Sequence, residues 1–228
     1  MTVFFLDPTF VLLIPALILA FYAQYRVSST YKHYLGVPSS SGRTGLEVAR
    51  AILSRNNLGD IEVEVGSGTL SDHYDPRKKV LRLSEPVYRG TSVAAIGIAA
   101  HEAGHAIQDG TGYAPLRVRH GLFPVANVGT MLAFPLFLAG FIFRFGRLMD
   151  IGILFFSVAL LFQVVTLPVE LNASRRALGE LELAGIVDPR DLEGGKKVLN
   201  AAALTYIAAA AMAAVQLLRL LVLRSSRD

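Results

Sequence analysis

Cysteine is absent from the 228 residues. Its absence removes disulfides and thiolate chemistry, and it forces any metal site to be built from histidine and carboxylates. It also accords with an active face in the cytosol. Charge is missing too, but in long blocks. Pro8–Tyr25, Gly121–Phe143, Ile151–Val169 and Val198–Leu218 contain no Asp, Glu, Lys or Arg. Each runs 18 to 23 residues, the length a helix needs to cross about 30 Å of hydrocarbon. Backbone groups in lipid must be bonded within their own segment, so these blocks are expected to be helices. With 53% hydrophobic residues and a mean hydropathy of +0.47, too little polar chain is left to bury four such helices in a soluble core. No basic segment precedes the first block, where Asp7 is the sole charge; this predicts a retained anchor instead of a cleaved signal. There is no internal repeat, and no interleaving of aromatic and basic residues of the kind that would favour nucleic acid. The expected surroundings are a lipid bilayer.

The net charge of +4 says less than where the charges fall. Twelve Lys and Arg lie between Arg26 and His120 and five between Glu170 and Lys197, against two in Arg144–Asp150 and three after Leu218. With four spans, the first and third connections share one side of the membrane. The excess of positive charge there predicts that this side is cytoplasmic in a multi-pass cell-membrane protein.

Between the blocks the chain has its own local signals. Tyr31–Gly45 reads as a Ser/Gly-rich linker. Thr44 with Glu47 three residues on forms a capping box ahead of Leu46, Ala49, Ile52 and Leu53, which predicts a helix ending near Asn56–Gly59. Ile61, Val63 and Val65 alternate with Glu62 and Glu64 as in a half-exposed strand, and Leu70–Tyr74 and Val80–Leu83 flank a turn at Asp75–Lys78 as in a hairpin. Thr91 or Ser92 can cap a helix through Ala94–Gln108. The third block is expected to continue as helix through Leu171–Leu183, and Asp188-Pro189 to open the fourth.

On the helix after Ser92 stands His101-Glu102-Ala103-Gly104-His105. Two histidines four apart project from one helix face and can hold a single Zn²⁺, while Glu102 beside them can take a proton from a water as general base. The preceding run Val93–Ala100 is apolar and small-chained, so the helix should be buried. Buried histidines and carboxylates need partners, which zinc would supply. A catalytic zinc takes three protein ligands and keeps one position open. A metzincin would place glycine at 108 and histidine at 111, but Gln108 and Thr111 stand there. A carboxylate from another helix is the usual alternative, and Glu170 is the best candidate. It closes the uncharged third block, where a carboxylate beside lipid needs a strong partner. Ala173 and Ala177 share its face and would permit a close approach to the zinc helix. An intramembrane protease is excluded, because the uncharged run before His101 begins only at Gly90 and no later Asp-Gly pair lies in a hydrophobic block. His73, Tyr74 and Arg175 are candidates for an oxyanion donor.

The segments Leu70–Pro76, Ala100–Ala106, Leu167–Glu170, Ala173–Ala177 and Val198–Tyr206 together resemble the YugP-type neutral zinc metallopeptidases, bacterial membrane proteins, from about Tyr31 onward. The resemblance implies a zinc-dependent peptidase acting on proteins or peptides. Strand order in related metallopeptidases implies that Val80–Leu83 is an edge for pairing with an extended peptide. A more distant similarity, to the HtpX and CAAX-protease group of membrane gluzincins, implies a Glu-x-x-x-Asp pattern on the second ligand helix. Glu170 matches the ligand, and Ser174 stands where the aspartate would be. Asn172 or Ser174 would then orient a histidine through its free ring nitrogen.

The expected fold is a mainly α membrane protein, with four transmembrane helices and a small α+β zincin-like domain at the membrane surface. Its expected parts are an anchor (1–30), a zincin-like catalytic segment (31–120), a transmembrane hairpin (121–169), a third-ligand helix and loop (170–197), and a C-terminal transmembrane helix (198–228). The expected activity is zinc-dependent endopeptidase cleavage near the membrane, with metal ligands His101, His105 and Glu170 and catalytic Glu102. The alternative from another class is a zinc-stabilised membrane scaffold or chaperone-like factor, in which a fourth protein ligand, His120 or Asp109, would close the site.

Overall fold

The computed structural model describes residues 8–68 and 71–226; Asp7, Leu70 and Arg227 lie outside them. A 3-10 turn, Pro8–Leu13, leads into α1 (Ile14–Leu35), followed by α2 (Gly45–Arg55), β1 (Glu62–Gly66), β2 (His73–Asp75), β3 (Val80–Ser84) and α3 (Glu85–Tyr88). Four longer helices complete the chain: α4 (Val93–Gly110), α5 (Ala114–Phe143), α6 (Gly146–Leu183) and α7 (Pro189–Ser225). The helices holding the four uncharged blocks are each long and apolar enough to cross a membrane. The protein is therefore a mainly α, multi-pass membrane protein with a small mixed sheet.

The chain divides into two compact units. One comprises Met1–Gln24, Arg117–Leu167 and Leu204–Asp228. In it, Phe137, Met149, Leu220 and Leu223 form a buried cluster. α5 and α6 meet at backbone distance, since a Cβ on Gly152 would lie 2.7 Å from Phe137 N and 2.8 Å from Ala133 O. Arg219 is buried, donating to Thr9 Oγ1 at 3.2 Å with its guanidinium 5.7 Å from the Phe10 ring centre. Arg224 pairs with Asp150 at 2.8 Å. Large apolar side chains such as Phe21, Met131, Phe143 and Leu154 face outward. That is a costly surface in water and a suitable one against acyl chains.

The other unit comprises Tyr25–Leu116 and Pro168–Ala203. Its core joins Ile52 and Leu53 of α2, Leu81 and Leu83 of β3, and Ala103 of α4 to Leu181 of α6. The local signals hold closely. Thr44 Oγ1 accepts from Glu47 N at 3.2 Å while Thr44 N donates to Glu47 Oε2 at 2.8 Å, the capping box at the head of α2. Ser92 caps α4 through Ala95 N, and Asp188 Oδ1 accepts from Asp191 N at the start of α7. β2 and β3 form the expected hairpin, with His73 opposite Arg82 and Asp75 opposite Val80.

Three details differ. Tyr31–Leu35 continues α1 and is not linker, because the buried Tyr31 ring packs on Ala94 and Val198. Val65 is about half exposed while Ile61 and Val63 are buried, so the alternation fades toward the end of β1. Val80–Leu83 is not a sheet edge: the strand order is β1-β3-β2, with β3 paired parallel to β1 and antiparallel to β2. Both sides of its backbone are occupied, so it has no row of free groups for a peptide.

Candidate metal centre

α4 is walled by apolar neighbours from Val93 through Ile107, interrupted by the polar residues of the motif. Small residues make that enclosure possible. A Cβ on Gly104 would lie 2.6 Å from the carbonyl oxygen of Ala173, so the backbones of α4 and α6 touch there, and Ala173 and Ala177 are fully buried. This contact brings the Glu170 side chain to the face carrying the two histidines.

Glu170 Oε2 lies 3.3 Å from His101 Nε2 and 3.5 Å from His105 Nε2. The imidazoles stand edge to face, 4.8 Å apart and 85° between planes. The side chains are 14%, 11% and 4% exposed for His101, His105 and Glu170, so the donors converge in a nearly closed setting. One ligand atom from each residue lies within 4.8 Å of the other two, and no other group of three such residues occurs among the described residues. The set fits zinc: bonds of about 2.0–2.1 Å in tetrahedral geometry place neighbouring donors roughly 3.4 Å apart. Two nitrogens and a carboxylate oxygen are also the ligand chemistry that ion accepts.

Electrostatics bind the group together. Burial alone would lower the pKa of His105, but hydrogen bonding to Glu170 and the negative charges of Glu102 and Glu170 outweigh it and hold the imidazole above its ordinary value. Glu102 is itself buried, one position after His101. Each histidine also has a partner at its other nitrogen. Ser174 Oγ lies 3.2 Å from His101 Nδ1, and Gln108 Oε1 lies 3.0 Å from His105 Nδ1. Of Asn172 and Ser174, Ser174 is the one within direct hydrogen-bond reach of a histidine. Asn172 reaches His105 only at second hand, by accepting from Gln108 Nε2 at 3.0 Å. Gln108 escaped the reading of the sequence, because a glutamine in a helix carries no signature; only its complete burial marks it.

The other candidates have contacts of their own. Asp109 accepts from Tyr74 Oη at 2.8 Å and Lys79 Nζ at 2.7 Å. Burial pushes the Tyr74 phenol up, and the bond to Asp109 adds to the effect. His73 is exposed, its Nδ1 2.8 Å from Ser71 O, and Arg175 is exposed on α6. Neither Asp109 nor His120 belongs to the donor cluster.

Fold and site together define a multi-pass membrane protein with a nearly buried His-His-Glu cluster able to hold a metal ion. The chain belongs to the family described as "putative neutral zinc metallopeptidase", whose model matches residues 9–225. "Putative membrane protease YugP" of Bacillus subtilis (strain 168) is 49% identical to it over 218 residues, covering 95% of this chain and 97% of that one. No solved structure matches it.

Proposed function

We propose that the protein is a zinc-dependent endopeptidase that cleaves proteins or peptides close to the membrane, with His101, His105 and Glu170 as the zinc ligands and Glu102 as the general base. The observation that carries this reading is the convergence of two Nε2 atoms of α4 and one carboxylate oxygen of α6 at 3.3 and 3.5 Å, in a chain of the family described as "putative neutral zinc metallopeptidase". Zinc held there supplies Lewis acidity to the scissile carbonyl and to the nucleophilic water. Glu102 takes the proton of the attacking water as its oxygen bonds to the carbonyl carbon. It then passes that proton to the amide nitrogen as the C–N bond breaks. Three donors, and no fourth among the described residues, support an open coordination position and so favour catalysis over a structural site.

Glu170 follows directly on the uncharged run Ile151–Val169, which supports a site at the bilayer boundary and substrates that are near it. The distribution of Lys and Arg, 17 of 22 in the first and third connections, supports a cytoplasmic active site in a cell membrane. The test is metal analysis and proteolysis by detergent-purified protein beside Glu102→Gln. We expect both to hold zinc stoichiometrically and only the parent to cleave; equal cleavage by the two would sink the assignment of Glu102.

A further inference from the structure

Gln108 is wholly enclosed, so no water can replace a hydrogen bond that its amide fails to make. It makes three: Oε1 to His105 Nδ1 at 3.0 Å, and Nε2 to Val169 O at 2.8 Å and to Asn172 Oδ1 at 3.0 Å. The direction of these bonds is fixed from outside. Arg176 can only donate, and its Nε lies 2.9 Å from Asn172 Oδ1, so Asn172 turns its oxygen inward. The Arg176 guanidinium rests 5.9 Å from the Tyr113 ring centre, and Tyr113 N donates to Gln108 O at 2.9 Å, closing the end of α4. Asn172 Oδ1 and Val169 O are both acceptors. A reversed Gln108 would set its oxygen against two oxygens, so Nε2 must face them and Oε1 must face His105. An acceptor at that place requires His105 to carry a proton on Nδ1. In the neutral ring the free lone pair is then on Nε2, the atom facing Glu170. Ser174 beside His101 gives no such direction, since a hydroxyl serves as donor or acceptor.

We propose that Gln108, oriented by Asn172, Arg176 and the Val169 carbonyl, is a positioning residue that fixes the ring and tautomer of His105 for metal binding. The inference rests on His105 being a zinc ligand. It predicts a loss of metal affinity on the scale usual when such an outer partner is removed, about 10- to 100-fold.

The experiment uses the full chain in detergent with zinc alone as probe, and Gln108→Leu, Asn172→Leu and Asn172→Asp as variants. Affinity is read by chelator competition, zinc-induced stabilisation by the rise in Tm, and the His105 Nδ1–H by its proton resonance in the zinc-loaded protein. Gln108→Leu is expected to weaken binding about 10- to 100-fold, to reduce the rise in Tm and to move the Nδ1–H resonance upfield. Asn172→Leu should do the same to a smaller extent. Asn172→Asp should match the parent, because a carboxylate accepts from the same two donors. A purely structural role for Gln108 would lower the Tm of the metal-free protein and leave the zinc-dependent rise intact, which overturns the proposal. If Gln108→Leu fails to fold, the Asn172 pair decides: equal affinities for Leu and Asp there overturn it. A parent that binds zinc with variants that bind it as tightly refutes the positioning alone, whereas a parent that binds no zinc refutes the metal assignment and the positioning with it.

Discussion

Gly104 sits between the two histidines of the motif, and the backbone of Ala173 occupies the space a side chain would need. A Cβ there would lie 2.6, 3.2 and 3.3 Å from the O, C and Cα of Ala173, none of which can rotate away. Gly104→Ala is therefore expected to push α6 off α4, at a cost of about 1–3 kcal/mol, and to carry Glu170 away from the histidines. A lowered Tm together with weakened zinc retention, both measured on the purified protein, would bear this out; an unchanged zinc affinity would contradict it. At this scale the sequence was legible where chemistry follows spacing. His101 and His105 four apart predict a shared face, and a carboxylate at the end of an uncharged block predicts a need for partners, which Glu170 meets. Gln108 was not legible, because its role comes from burial and from three bonds to residues up to 64 positions distant.

Helix ends were the most readable elements, since caps depend on neighbours in the chain. Thr44→Ala removes the acceptor for Glu47 N and should destabilise α2 by about 1 kcal/mol, visible as a lower Tm. The backbone and side-chain hydrogen bonds from Thr44 hold the Glu47 carboxyl below its ordinary pKa. A depressed carboxylate stabilises the fold above its unfolded pKa, and that contribution is lost as pH falls through the folded value. The Tm difference between parent and Thr44→Ala should therefore narrow on acidification below the ordinary glutamate range. The sheet was less readable. The hairpin of β2 and β3 is local, but the parallel pairing of β1 with β3 joins strands across β2, and no local pattern encodes it. That pairing sets Leu81 of the central strand between Val63 of β1 and Tyr74 of β2, completely buried. Leu81→Ala is expected to cost about 2–5 kcal/mol, measured by thermal unfolding in detergent, and an edge-strand cost well below that would contradict the observed strand order.

For the whole molecule, the lack of native cysteine allows the topology to be tested with single introduced thiols. Arg43, Arg77, Lys196 and Arg147 are all exposed. Cysteine at 43, 77 or 196 should react with a membrane-impermeant maleimide only from the cytoplasmic side, and Arg147→Cys only from outside. A reversed pattern would overturn the orientation and keep the four spans; reaction of all four from one side would remove the spans themselves. The four uncharged blocks made the membrane character plain from composition, whereas the helix continuations past them, such as α1 to Leu35, depend on packing by Tyr31 that composition does not reveal.

If His101, His105 and Glu170 hold zinc as proposed, the touching backbones at Gly104 and Ala173 also act as a gauge for ion size. Donors set 3.3 and 3.5 Å apart by two helices already in contact suit Zn²⁺, and equally Co²⁺ or Ni²⁺ of similar radius. Ca²⁺ bonds at about 2.3–2.6 Å and takes six or more oxygens. To admit it, the helices would have to part along the seam and expose buried alanines, with only one carboxylate as return. On that reading, discrimination against Ca²⁺ would be built into a missing methyl group, at a point where no ligand atom is present.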